Sequence, residues 1–217
     1  MSICINYEQV IAGAVSLQGR PFEKRLCPDQ YVGTLHQLLE QATFPCRLTT
    51  DQRPTGAALI LILESPHIDE YVDEPGPAKG FTGEMIRQHL SAAIDLAGRQ
   101  AFGLVLMNAI QHQCSLGSNT AVYRDRVFRA VWAQGGKEVF QARLAGTVKP
   151  GDLVMNCCTK GNDFEIHPPL RSLVEAAIRE VMPDIETIKR MHPAAWRDPA
   201  WRGKAWRYQS TAIAQAD

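Results

Sequence analysis

Glu64, Ser65, Pro66 and His67 stand together directly after the apolar run Ala57–Leu63. A carboxylate in that position is costly unless it has a partner or a task. A plain salt bridge to Lys79, Arg87 or another cation is the alternative explanation of Glu64. Asn108 closes a second apolar run, Leu104–Met107. Its carboxamide carries an acceptor and two donors side by side, which suits a polar ligand edge as well as the capping of a turn. His192 precedes Pro193, whose fixed φ would aim the imidazole, although a histidine there also reads as a solvated surface residue. Phe81, in the loop GPAKGFTG, has a ring that either stacks on a flat ligand or joins the core. Ser65 lacks the G-x-S-x-G elbow of an activated nucleophile.

Four apolar runs would position these groups. Ala57–Leu63, Leu104–Met107 and Leu153–Met155 are continuous, as strands buried on both faces of a parallel sheet are, and Ile185–Met191 is a weaker fourth. Helical spacing lies between them, in Ile86, Leu90, Ala93, Ile94 and Ala97, in Val127, Phe128, Val131 and Trp132, and in Leu170, Leu173, Val174, Ala177, Ile178 and Val181. The first 50 or so residues read as helical, with stripes at Val10, Ile11, Ala14, Val15 and at Leu35, Leu38, Leu39; Asp51–Gly56 reads as a turn. Strands alternating with helices predict an α/β fold, a layered α/β/α sandwich on a mainly parallel sheet of roughly four strands. Sites in such sheets lie past the carboxyl ends of the strands, where Glu64–His67, Asn108, the stretch NCCTKG and His192–Trp196 fall.

The order of these pieces resembles the uracil-DNA glycosylase superfamily. ESPH resembles the G-Q-D-P-Y-H and G-E-A-P-G motifs of two of its branches. PGPAKGFTG resembles the Gly/Ala-rich loop that follows, LVMNCCTKG the third strand with its turn, and MHPAAW the terminal H-P-S-P motif. The match covers about two thirds of the chain, 57–196. It implies an enzyme that extrudes a nucleotide into a pocket and hydrolyses its N-glycosidic bond. In that scheme Glu64 holds water and stabilises an oxocarbenium-like sugar, and His192 stabilises the anionic departing base. Phe81 stacks on the base, Asn108 reads a uracil-like or cytosine-like edge, and Ser65, Pro66 and His67 complete the base pocket. Ser65 stands where one branch has Asp, and His67 where it has Tyr, which leaves the target open. The target is uracil or a modified pyrimidine, in repair or in defence against phage DNA.

The tail carries the expectation of DNA contact. Trp196, Trp201 and Trp206 recur at intervals of five among Arg197, Arg202, Lys204 and Arg207. Arg suits phosphate and Trp suits stacking, with Trp196 in the place of a duplex wedge; the alternative is that the tryptophans pack the tail onto the core. The chain as a whole is balanced, with 23 Lys plus Arg against 23 Asp plus Glu, which argues against a broadly basic nucleic-acid binder. The acidic run Asp69, Glu70, Asp73, Glu74 reads as a solvated loop.

The 217 residues read as one domain, with a helical N-terminal segment (residues 1–56), a motif-bearing core (residues 57–196) and a basic tail (residues 197–217). No stretch of about 18 apolar residues predicts a membrane span, and the opening residues lack a basic signal-peptide region. The six cysteines form no C-x-x-C pair, so free thiols are expected rather than a metal or iron–sulfur cluster. The expectation is a cytoplasmic monomer that needs no cofactor and takes duplex or single-stranded DNA as its partner. A small-molecule nucleoside or nucleotide hydrolase and a silent nucleic-acid-binding module are the other classes.

Overall fold

The computed structural model describes residues 5–15, 22–95, 97–99, 102–116 and 123–208. Cys4 and the tail from 209 onward lie outside them, as does the side chain of Leu39. The fold is mixed α/β around a six-stranded, mostly parallel sheet. Its strands are β1 (Gln30–Thr34), β2 (Leu48–Thr49), β3 (Ala58–Leu63), β4 (Gly103–Asn108), β5 (Leu153–Asn156) and β6 (Thr187–Lys189), in the order β2-β1-β4-β3-β5-β6. The helices are α1 (Tyr7–Ala14), α2 (Leu35–Glu40), α3 (Phe81–Ala93), α4 (Arg124–Val131), α5 (Lys137–Thr147) and α6 (Leu170–Val181).

The four apolar runs become the parallel region of the sheet, β4-β3-β5-β6. Every residue of β3 and of β4 is buried, and each buried Leu or Ile side chain contributes about 1.5–3 kcal/mol. Alternation divides β3 between two clusters. Ala58, Ile60 and Ile62 pack with α1, α4, α5 and α6, while Leu59, Leu61 and Leu63 pack with α2, α3 and Trp196. Helices therefore cover both faces.

The first 50 residues correct the helical expectation. They hold α1 and α2, but also β1 and β2, which extend the sheet from four strands to six by antiparallel pairing beside β4. Gly33 explains the concealment. It interrupts the apolar pattern of β1, has φ +117° and stands where any Cβ would lie 2.2 Å from Pro45. Thr34 then starts α2 with a reciprocal cap, accepting from the Gln37 backbone N–H at 3.3 Å while Gln37 Oε1 accepts from the Thr34 N–H at 3.0 Å.

The chain order creates the site. From β3 the chain passes through α3 to β4 on one side, then through α4 and α5 to β5 on the other side of β3. The two crossovers lie on opposite faces. Such a reversal opens a crevice beyond the carboxyl ends of the strands.

Candidate functional site

A cavity of about 500 Å³ occupies that crevice, within the roughly 300–1,000 Å³ typical of small-ligand pockets. Its wall takes Glu64–His67 from the end of β3, Phe81 from the start of α3 and His192 from beyond β6. Glu64 and His192, distant in sequence, meet there with Glu64 Oε2 3.5 Å from His192 Nε2. Glu64 is 8% exposed, and its Oε2 forms no hydrogen bond among the described residues. The alternative of a salt bridge to Lys79 or Arg87 is not formed among the described residues; the neighbour that can carry positive charge is His192. Lys79 donates to the carbonyl oxygens of Val72 and Glu74, and Arg87 stands over the Phe44 ring.

His192 caps the 3₁₀ turn 193–197, its Nδ1 accepting from the Ala194 N–H at 3.2 Å. In the neutral ring the hydrogen then sits on Nε2, on the Glu64 side. Burial pushes the His192 pKa below its ordinary value; Glu64 opposes that shift and Arg124 adds to it. A neutral histidine presenting an N–H is a donor suited to developing negative charge.

Phe81 is 48% exposed at the cavity rim, so its ring is free to stack on a ligand rather than fill the core. Ser65 and Pro66 line the wall, with Ser65 bonded to the buried Cys114 thiol. His67 also lines it and has its Nδ1 3.1 Å from Asp69 Oδ2.

Asn108 is corrected in role. It is 1% exposed and does not line the cavity. Its Nδ2 donates to Glu70 Oε2 at 3.4 Å and to Cys27 Sγ at 3.6 Å. Arg143 fixes the strand end beneath it, donating to the Asn108 and Ala109 carbonyls at 2.9 Å while pairing with Asp29 at 2.6 Å.

Glu70 is the site residue that sequence reasoning passed over. The 3₁₀ turn 68–71 turns it inward, 5% exposed, while Asp69, Asp73 and Glu74 remain at the surface. It lines the same cavity as Glu64. Burial, with a smaller contribution from the Glu64 carboxylate, pushes its pKa up to about 8; bonds from the Ala78 N–H, Asn108 and Cys27 pull the other way. Ala78 makes its bond from a left-handed backbone, φ 55°, a conformation that costs about 1–3 kcal/mol. The first turn of α3 is pressed against it, since a Cβ on Gly83 would lie 1.9 Å from the Ala78 oxygen. Arg124 was also missed. It opens α4, is 9% exposed and lines the cavity, with its Nε donating to Asp125 at 3.0 Å.

The tail corrects the wedge. Trp196 is 0% exposed and packs with Leu61, Ile86 and Leu90. Trp206 is buried too, donating from Nε1 to the Asn156 carbonyl at 3.3 Å with Arg171 over its ring. Arg202 is a clamp on the fold, donating to the carbonyls of Trp196 and Arg197 at 2.6 and 3.1 Å. Arg197, Lys204 and Arg207 are exposed, as is Trp201 with the Lys204 ammonium 4.1 Å above its ring. The packing alternative thus accounts for two of the three tryptophans.

Among the described residues no group of three or more His, Cys, Asp or Glu is placed to hold a metal ion, and no helix is long and apolar enough to cross a membrane. Cys27, Cys46, Cys114, Cys157 and Cys158 are free thiols. Comparison of the chain with models of known protein families, with curated proteins and with solved structures found no match.

Proposed function

We propose that this protein is a DNA glycosylase that takes a flipped-out base into the cavity and hydrolyses its N-glycosidic bond. The observation that carries the reading is the meeting of Glu64 and His192 on one cavity wall at the carboxyl edge of a parallel sheet. The carboxylate stabilises positive charge on the sugar and orients water. The neutral imidazole donates to the base as it leaves with its electrons. Phe81 offers the base a flat face at the rim. The test is incubation with oligonucleotides carrying uracil, cytosine or 5-substituted cytosines, followed by hot alkali. Strand breaks at one of these bases are the expected result; intact strands with all of them would remove the proposal.

DNA is held on this reading by the exposed cations Arg197, Lys204 and Arg207. Each phosphate contact adds about −0.9 to the slope of log affinity against log salt on duplex. Replacing Arg197 and Arg207 by serine is expected to flatten that slope by about 2. A titration of fluorescent duplex at several salt concentrations measures it, and an unchanged slope would place the DNA elsewhere.

Arg124 favours a second reading, hydrolysis of a free nucleotide. A guanidinium inside the cavity suits a phosphate carried in with the base. Mononucleotides and oligonucleotides compared at equal concentration decide between the two by rate of base release.

A further inference from the structure

We propose that Glu70 is a second catalytic group of this site, a general acid that protonates the base as its bond to C1′ breaks; this rests on the reading of the cavity as a site of N-glycosidic hydrolysis. Two carboxyl groups face one cavity, but their surroundings differ. Glu64 has an oxygen with no hydrogen bond and an imidazole beside it. Glu70 is 5% exposed, with Oε2 accepting from Asn108 at 3.4 Å and Cys27 at 3.8 Å. These donors hold the neutral carboxyl group in place and bond more strongly to the carboxylate that remains once the proton is gone. The strained Ala78 supplies a further N–H to the same carboxyl group. Its raised pKa agrees, since it keeps Glu70 protonated at neutral pH. The two carboxyl groups of one cavity thus stand in different surroundings, which suits them to different roles.

The step balances without any other reactant. The C1′–N bond breaks and its electron pair goes to the base. The Glu70 proton moves to an oxygen or ring nitrogen of that base, which leaves neutral. Water adds its oxygen to C1′ and passes a proton to Glu64, which returns it to solvent, and solvent reprotonates Glu70. The charged and titratable groups near Glu70 include Cys27, Arg47 and Tyr71, and the cavity it lines is shared with Glu64, His67, Asp69, Arg124 and His192. Of these, Glu64 most directly favours the protonated acid.

The test uses E70Q, which keeps the shape and can donate a hydrogen bond but cannot give up a proton. Oligonucleotides carry uracil or cytosine, or their 5-fluoro counterparts, whose bases leave more readily. The expected loss with the plain bases is about 10²–10⁴-fold in kcat at pH 7, and at least tenfold less with the fluoro bases. The wild-type rate should also fall about tenfold per pH unit above about 8, a limb absent from the residual activity of E70Q. A readout free of catalysis follows from linkage. Glu70 binds its proton more tightly in the folded state, so between pH 4.5 and about 8 the wild type should lose thermal stability relative to E70Q as pH rises. If E70Q does not fold, the wild-type pH limb and fluoro-base ratio decide alone. Active wild type with E70Q equally active, or with no alkaline limb and no fluoro-base effect, overturns the acid role. Wild type that releases no base from any substrate overturns the hydrolase reading and this inference with it.

Discussion

Glu64→Gln is expected to slow base release by about 10²–10⁴-fold while the melting temperature stays within a few degrees of wild type. The substitution keeps size and shape, and Glu64 Oε2 makes no hydrogen bond that the fold would miss. What disappears is the negative charge. The sugar then loses the group that stabilises its positive charge, and the attacking water loses its proton acceptor. His192 also loses the one neighbour that raises its pKa, so its ring stays neutral and its share of the chemistry is preserved. Binding of substrate oligonucleotide should therefore be little changed, and the loss should fall on kcat. Single-turnover base release beside a melting curve measures both. A variant with normal rate would take Glu64 out of the reaction and leave it as a buried acid without a purpose.

Trp196→Ala is expected to cost about 3–5 kcal/mol of stability, the usual range for removing a buried aromatic ring. The ring is wholly buried against Leu61, Ile86 and Leu90, between α3 and the sheet. Excision from duplex and from single strands should then fall together, in proportion to the folded fraction. A wedge would behave differently, because only duplex leaves a hole to be filled when a base is extruded. Trp196→Phe should be far milder. It retains most of the ring and removes an indole N–H that finds no acceptor among the described residues, an orphan donor that itself costs about 1–3 kcal/mol. Denaturant unfolding of both variants separates the terms, and a selective loss on duplex with unaltered stability would restore the wedge.

The legible regions of this molecule were those whose pattern is dictated by burial on two sides. β3 and β4 are unbroken apolar runs because both faces are covered, and α6 shows its buried stripe of Leu170, Val174, Ala177 and Ile178 at helical spacing. The pieces that stayed hidden carry weaker patterns. β1 is interrupted by Gly33, β2 is two residues long, and α5 follows Gly135 and Gly136 with only Phe140, Leu144 and Thr147 buried.

At the site, Glu64 and His192 were visible because each follows a strand end, where the topology collects polar groups. Glu70 was not, since it is one acid among four in an exposed run, and only a single 3₁₀ turn sends it inward. No residue-level signal separates it from Asp69 or Glu74. Asn108 was placed correctly at the strand end and one layer too close to the ligand, because sequence gives an element's end but not what lies over it. Trp196 followed the same rule in reverse. Its position after His192 and Pro193 was legible, while the hydrophobic gap above α3 that draws it in arises only from the assembled layers.

The strand order has a consequence for synthesis. Glu64 leaves the ribosome long before His192, since one follows β3 and the other β6 at the far side of the sheet. Most of the core can collapse around β3, β4 and β5 beforehand, as chains fold from their N-terminal regions while still growing. The Glu64–His192 pair is thus completed only when the segment beyond β6 docks. A chain made only as far as β5 has much of its interior and the Glu64 wall of the cavity, and the His192 wall follows with β6.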